Sequence, residues 1–274
     1  MIYNIKKIKE LKGKYNYLER DTREDQIEHL RELLEKGIEF NPHVNILIGE
    51  NGCGKSTIIN MLRDVNFVEK SFIPKIGSFP NIKIAETFET ADCVEIKADY
   101  SKPVFNLYRM IEDWKTMSDS NDAMEDKWGV AQRFAAIEES KGQNQIGDFR
   151  QLINIAYGGS YEGAFHIIYN NKDKHEDNIK LYKWYESNHK EGDNYTFLMD
   201  EPDAGLDIKN LKAIYDFIEH MATKRDDTQV VVSLHNVALI TKLRKIEGIN
   251  WIDVSGKDYL KEIEEFCKWK TLRK

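Results

Sequence analysis

An α/β fold around a mainly parallel sheet is what this sequence predicts, and three observations predict it. A mostly apolar run, Val44–Ile48, leads into a glycine-rich turn and then a helix start at Ser56. Over 195–268, short β-rich runs alternate with amphipathic segments, and that alternation needs crossover helices between parallel strands. The chain has 274 residues, 41% of them hydrophobic, which supplies a core for one large domain with an inserted lobe.

Taken in order, Met1–Lys7 reads as a strand. Thr22–Lys36 reads as a helix, because Ile27, Leu30, Leu33 and Leu34 fall on one face. Thr22 and Asp25 form a weak capping box, and Gly37 is a natural stop. Asn41-Pro42 marks a turn before the Val44–Ile48 strand. The helix after the glycine turn runs from about Ser56 to Arg63, and residues 64–80 read as irregular, with Pro74, Gly77 and Pro80. Ile82–Thr87, Cys93–Ala98 and Pro103–Tyr108 read as strands. The front of the chain is therefore expected to hold an antiparallel N-terminal β subdomain. Residues 109–194 are helix-rich, then strongly polar, and are expected to form a helical lobe inserted into a single domain spanning 1–274. Strands then follow at Tyr195–Met199, Gln229–Leu234 and Asn250–Val254, with helices at Ile208–Ala222, Val237–Ile246 and Lys257–Lys268.

The chemistry begins in the glycine turn. Gly49 to Ser56 matches G-x-x-x-x-G-K-[ST] without a mismatch. Glycines let the loop curl its backbone N–H groups around phosphate oxygens, and the following helix aims its positive end at the same anion. Lys55 adds a point charge toward the β/γ-phosphates, and the Ser56 hydroxyl is placed to ligate Mg²⁺. A chance match in a chain this long is expected at roughly 1%. The architecture expected is thus that of a P-loop NTPase.

Thr196–Glu201 supplies what hydrolysis further requires: a buried strand with two carboxylates at its C-terminal end, where ligands bind in open parallel sheets. Asp200 can hold the Mg²⁺ shell, and Glu201 can face an attacking water as general base. His235 follows the next strand, Val230–Leu234, and can donate a hydrogen bond to a γ-phosphate oxygen.

Composition narrows the rest. The net charge of −7 offers no global basic field for nucleic acid, and the basic 268–274 segment is only a hint. No apolar run approaches bilayer length. The three cysteines, Cys53, Cys93 and Cys267, form no C-x-x-C pair, so a structural zinc site is not expected. An odd cysteine count and the lack of an apolar leader near Met1 point to a cytoplasmic setting. Cys53 reads as filler in the loop, with some liability to oxidation.

At this point the chain resembles the ATP-binding-cassette ATPases. The matching motifs are Gly-Glu-Asn-Gly-Cys-Gly-Lys-Ser-Thr at 49–57 (Walker A), Leu-Met-Asp-Glu-Pro at 198–202 (Walker B), Ala-Gly-Leu-Asp at 204–207 (D-loop) and Ser-Leu-His-Asn at 233–236 (H-loop). The wording of the first looks most like the SMC/RecF-like soluble branch, which serves DNA repair, chromosome maintenance and phage defence. The resemblance implies that Asn51, Gly52, Cys53, Gly54, Lys55, Ser56 and Thr57 cradle ATP. It further implies that Ser56 and Asp200 handle Mg²⁺, that Glu201 is the catalytic base, and that His235 senses the γ-phosphate. Asp207 would lie at a dimer interface. Ser160, in Gly159–Ala164, would be the signature serine that reaches ATP on the other subunit, although the Gly and Glu there are transposed relative to the family's Ser-x-Gly-Glu/Gln. The Q-loop glutamine and the adenine-stacking residue have no assignment.

The function expected is that of a soluble, ATP-hydrolysing, ATP-gated homodimer. It would drive a nucleic-acid or defence task through a partner effector, a nuclease or toxin. Two alternatives stand beside it: the nucleotide-binding subunit of a transporter, and a slow ATP-dependent scaffold or sensor.

Overall fold

The computed structural model describes residues 1–20, 25–68, 72–73, 84–99, 104–107, 196–224 and 228–269. The elements in chain order are β1 (Ile2–Lys7), a 3-10 segment (Gly13–Glu19), α1 (Asp25–Lys36), β2 (Ile38–Glu39), β3 (Val44–Ile48), α2 (Lys55–Val68), β4 (Phe72–Ile73) and α3 (Ile84–Cys93). They continue with β5 (Val94–Ala98), β6 (Val104–Leu107), β7 (Thr196–Asp200), α4 (Ile208–Lys224), β8 (Gln229–Ser233), α5 (Val237–Leu243), β9 (Ile249–Asp253) and α6 (Tyr259–Lys268). The helical lobe expected at 109–194, and Ser160 within it, lie outside the described residues.

Six strands form a parallel sheet in the order β4-β6-β7-β8-β3-β9, and three form an antiparallel sheet in the order β2-β1-β5. This is the α/β P-loop NTPase architecture with its antiparallel β unit. Strands β3, β7 and β8 are buried along their whole length. Covered on both faces, they have no solvent side to mark with polar residues, which is why they read as apolar runs.

Alternate residues of these strands feed two cores. Ile46, Ile48, Phe197, Met199 and Val232 point to one, closed by Ile214, Phe217 and Ile218 of α4 and by Ile240 of α5. Leu47, Leu198 and Val231 point to the other, closed by Ile58 and Leu62 of α2, Leu30 and Leu34 of α1, and Ile2 and Ile5 of β1. The parallel sheet is therefore a middle layer. Each fully buried Leu, Ile or Phe contributes roughly 1.5–3 kcal/mol, and Phe197 meets Phe217 edge-on at 6.5 Å.

Two buried polar joints connect the layers. Gln229 accepts from Ile2 N at 2.7 Å and donates through Nε2 to Ile2 O at 2.6 Å and Asn41 O at 2.7 Å. One side chain thus pins the antiparallel sheet to the parallel one. Asp64, on α2, accepts from Tyr15 at 3.0 Å and Lys14 at 2.6 Å of the 3-10 segment, and from neighbouring Arg63 at 2.8 Å.

The structure corrects two expectations at the front of the chain. Residues 84–93 are a helix, so the strand expected at Ile82–Thr87 does not form. Thr90 and Cys93 are buried while Glu89 is exposed, a spacing of three that belongs to a helix packed on a neighbour. A six-residue window is too short to separate the two periods. Helix α2 also runs beyond Arg63 to Val68. Asp64 is buried and bonded to Tyr15, Lys14 and Arg63, so the helix continues through it into the region expected to be irregular. Among the described residues no helix is long and apolar enough to cross a membrane.

Candidate functional site

The site lies where β3, β7 and β8 end at the same level. Their parallel register pairs Leu47 with Ser233 and Asp200 with Ser233. Whatever follows those residues meets at one edge of the sheet.

From β3 the chain turns through Gly49–Gly54 into α2. Gly49 has φ +141, and a Cβ there would lie 2.7 Å from Cys53 Sγ. Gly54 has φ +103, and a Cβ there would meet Leu30 Cδ2 of α1 at 2.3 Å. Gly54 is thus required twice, by its backbone and by the helix pressed against it. Lys55 is buried, and its ammonium donates to Gly49 O at 2.8 Å and Glu50 O at 3.0 Å. Two carbonyls hold the charge at the loop mouth without neutralising it. Asn51 and Gly52 are exposed at the rim. Cys53 is buried beneath the loop; burial pushes its thiol up despite nearby Lys55, so it stays protonated and shielded from oxidants.

From β7 come the two carboxylates. Asp200 Oδ1 accepts from Ser56 Oγ at 3.0 Å and from Ser233 Oγ at 2.6 Å. Ser233 Oγ in turn accepts from Glu201 N at 2.9 Å. Glu201 has φ +50, an uncommon conformation for a residue with a side chain. It turns the carboxylate toward His235, whose Nε2 lies 2.5 Å from Glu201 Oε1. Asp203 is buried, and its Oδ2 accepts from His235 N at 2.8 Å and Asn236 N at 2.6 Å. Burial pushes the Asp203 carboxyl up, and the two N–H bonds oppose that shift.

These groups open on a cavity of about 790 Å³, floored by residues 54–57 and walled by Glu201, His235 and Tyr259. The structure therefore brings Lys55, Ser56, Thr57, Asp200, Glu201 and His235 together. Asp207 sits apart, exposed, capping α4 through Asn210 N at 2.8 Å. Ser160 lies outside the described residues.

Four members escaped the sequence. Ser233 is masked by its place at the end of an apolar strand, and Asp203 by its place in an acidic turn. Tyr259 starts α6 beside the loop and carries no motif. Tyr17 reaches the loop helix, with its hydroxyl 2.8 Å from Thr57 Oγ1; upstream tyrosines are several, and only the fold says which one arrives.

The donor set suits a hard divalent cation. The Ser56 hydroxyl and the Asp200 carboxylate are oxygen ligands, the pair Mg²⁺ takes alongside water and phosphate oxygens. Among the described residues there is no group of three or more His, Cys, Asp or Glu for a metal held by protein alone.

A family model described as an AAA domain (AAA_23) matches residues 26–268. No curated protein and no solved structure matches the chain. Because the family match covers nearly the whole chain and takes in the loop, both carboxylates and the histidine, the chain belongs to the AAA domain family and is a P-loop ATPase domain.

Proposed function

We propose that this chain hydrolyses ATP, closes on it as a homodimer of the ATP-binding-cassette type, and passes that closure to a partner effector in a nucleic-acid or defence task. One observation carries the reading: the Ser56–Asp200 pair and the Glu201–His235 pair flank the same phosphate loop. The loop from Asn51 to Thr57 wraps the phosphates with its N–H groups, and Lys55 moves its ammonium from the loop carbonyls to their oxygens. Ser56 and Asp200 would hold Mg²⁺, which would supply positive charge against the phosphates.

Glu201 orients the attacking water and takes its proton. His235 holds that carboxylate through its ring N–H, and on ATP binding that N–H passes to a terminal phosphate oxygen. Ser233 holds Asp200 and the Glu201 main chain together, so the metal side and the water side move as one. Dimer closure is supported by what this edge leaves uncovered. Asn51 is exposed at the loop rim, Asp207 is exposed ahead of α4, and Ile208 beside it is 85% exposed. Ser160 of the second subunit would complete the site from the other side. The acidic net charge gives no support to direct nucleic-acid binding, so the effector, a nuclease or a toxin, is the more natural recipient of the closure.

Glu201→Gln tests this directly. Hydrolysis should fall about 100-fold or more, while ATP binding persists and size-exclusion chromatography with ATP and Mg²⁺ shows a dimer. A variant that stays monomeric and cannot bind ATP overturns the reading.

A further inference from the structure

We infer that Asp203 is a positioning residue of the hydrolytic site: it clamps the main chain of His235 so that the imidazole meets Glu201. The inference rests on the ATP-hydrolysing reading above.

Two successive N–H groups just beyond β8 converge on one oxygen of this carboxylate, His235 N at 2.8 Å and Asn236 N at 2.6 Å. Asp203 lies two residues after Glu201, in a turn closed by Ala204 N donating to Glu201 O at 3.1 Å. His235 is thus tied twice to one short loop, through its backbone to Asp203 and through its ring to Glu201. The loop and the histidine cannot shift independently. Asp203 is 2% exposed, and its second oxygen, Oδ1, is buried without a hydrogen-bond partner among the described residues. What the position needs is one strong acceptor for two N–H groups, and that acceptor sets the histidine.

Because both bonds go to one oxygen, an amide can keep them. Asp203→Asn should restore most of the rate yet melt lower, since its NH₂ enters the unpartnered space. Asp203→Ala should lower kcat about tenfold with KM for ATP changed less than twofold. In a His235→Ala background, adding Asp203→Ala should change kcat less than twofold, because the group it positions is gone.

The experiment is steady-state ATP hydrolysis with Mg²⁺ on the full chain and these four variants, with a thermal melt of each. An Asp203→Ala that melts like wild type and keeps its kcat overturns the inference. So does a tenfold further loss in the His235→Ala background. If Asp203→Ala does not fold, Asp203→Asn decides: kcat within threefold of wild type supports the clamp, and a tenfold loss rejects it. A wild type that hydrolyses no ATP removes the functional reading itself, an outcome distinct from an active wild type whose Asp203 variants are unaffected.

Discussion

At the scale of single residues, the site is a set of groups held by neighbours that leave little freedom. Gly54 carries a positive φ and faces Leu30 at a distance no Cβ could occupy. Gly54→Ala should therefore weaken ATP binding at least tenfold, read by titration with a fluorescent ATP analogue. Adding Leu30→Ala removes the clash but not the backbone strain of about 1–3 kcal/mol, so it should recover only part of the affinity. Glu19 gives a pH signature. Burial pushes its carboxyl up, but hydrogen bonds from Lys7 and Leu11 N, with the charges of Lys7 and Arg31, outweigh that and hold it below its usual range. The native state thus prefers the ionised form more than the unfolded chain does. The stability gained is present above the unfolded value of about 4.5 and is lost as pH falls through the lower folded value. Lys7→Met should lower the urea midpoint at pH 7, and the gap to wild type should narrow below about pH 4.

At the scale of elements, what holds the molecule together is a matter of which strands end where and what joins the sheets. Gln229 replaces a missing strand partner for β1, bonding both the N–H and the C=O of Ile2 as well as Asn41 O. Gln229→Leu keeps the volume but orphans the N–H and C=O of Ile2, while Asn41 O keeps its bond from Asn45 Nδ2 at 3.0 Å, and should cost roughly 2–4 kcal/mol in chemical denaturation. The phosphate loop, Asp200, Glu201 and His235 were legible in the sequence because each is a local pattern: a strand, a turn and a chemical group within a few residues. The bonds among them were not, since Ser56 and Asp200 are 144 residues apart. Nor was Gln229, whose partner lies 227 residues away and whose type says nothing of it. Helix α3 was misread for the opposite reason. Its signal is local but short, and only packing beside α2 and the 3-10 segment reveals which period its residues obey.

At the scale of the whole molecule, the middle sheet is assembled from the two ends of the sequence. β3 is flanked by β8 and β9, and β1 is fastened by Gln229. The loop that follows β3 is thus shaped by segments that come roughly two hundred residues later, with Ser255 packed against Gly49 and His29 against Gly256. This has a consequence for synthesis. At about 5–20 residues per second, the ribosome releases Ile2 roughly 10–45 s before Gln229. Through that interval β3 has neither of its sheet neighbours, since both β8 and β9 come later. A nascent chain stalled before β8 would have written its entire phosphate loop and still be unable to hold a nucleotide, because β3 lacks both sheet neighbours and two walls of the site, His235 and Tyr259, have not yet been translated. Such chains are natural clients of holding chaperones, and the ability to bind ATP should arrive abruptly, near the end of translation.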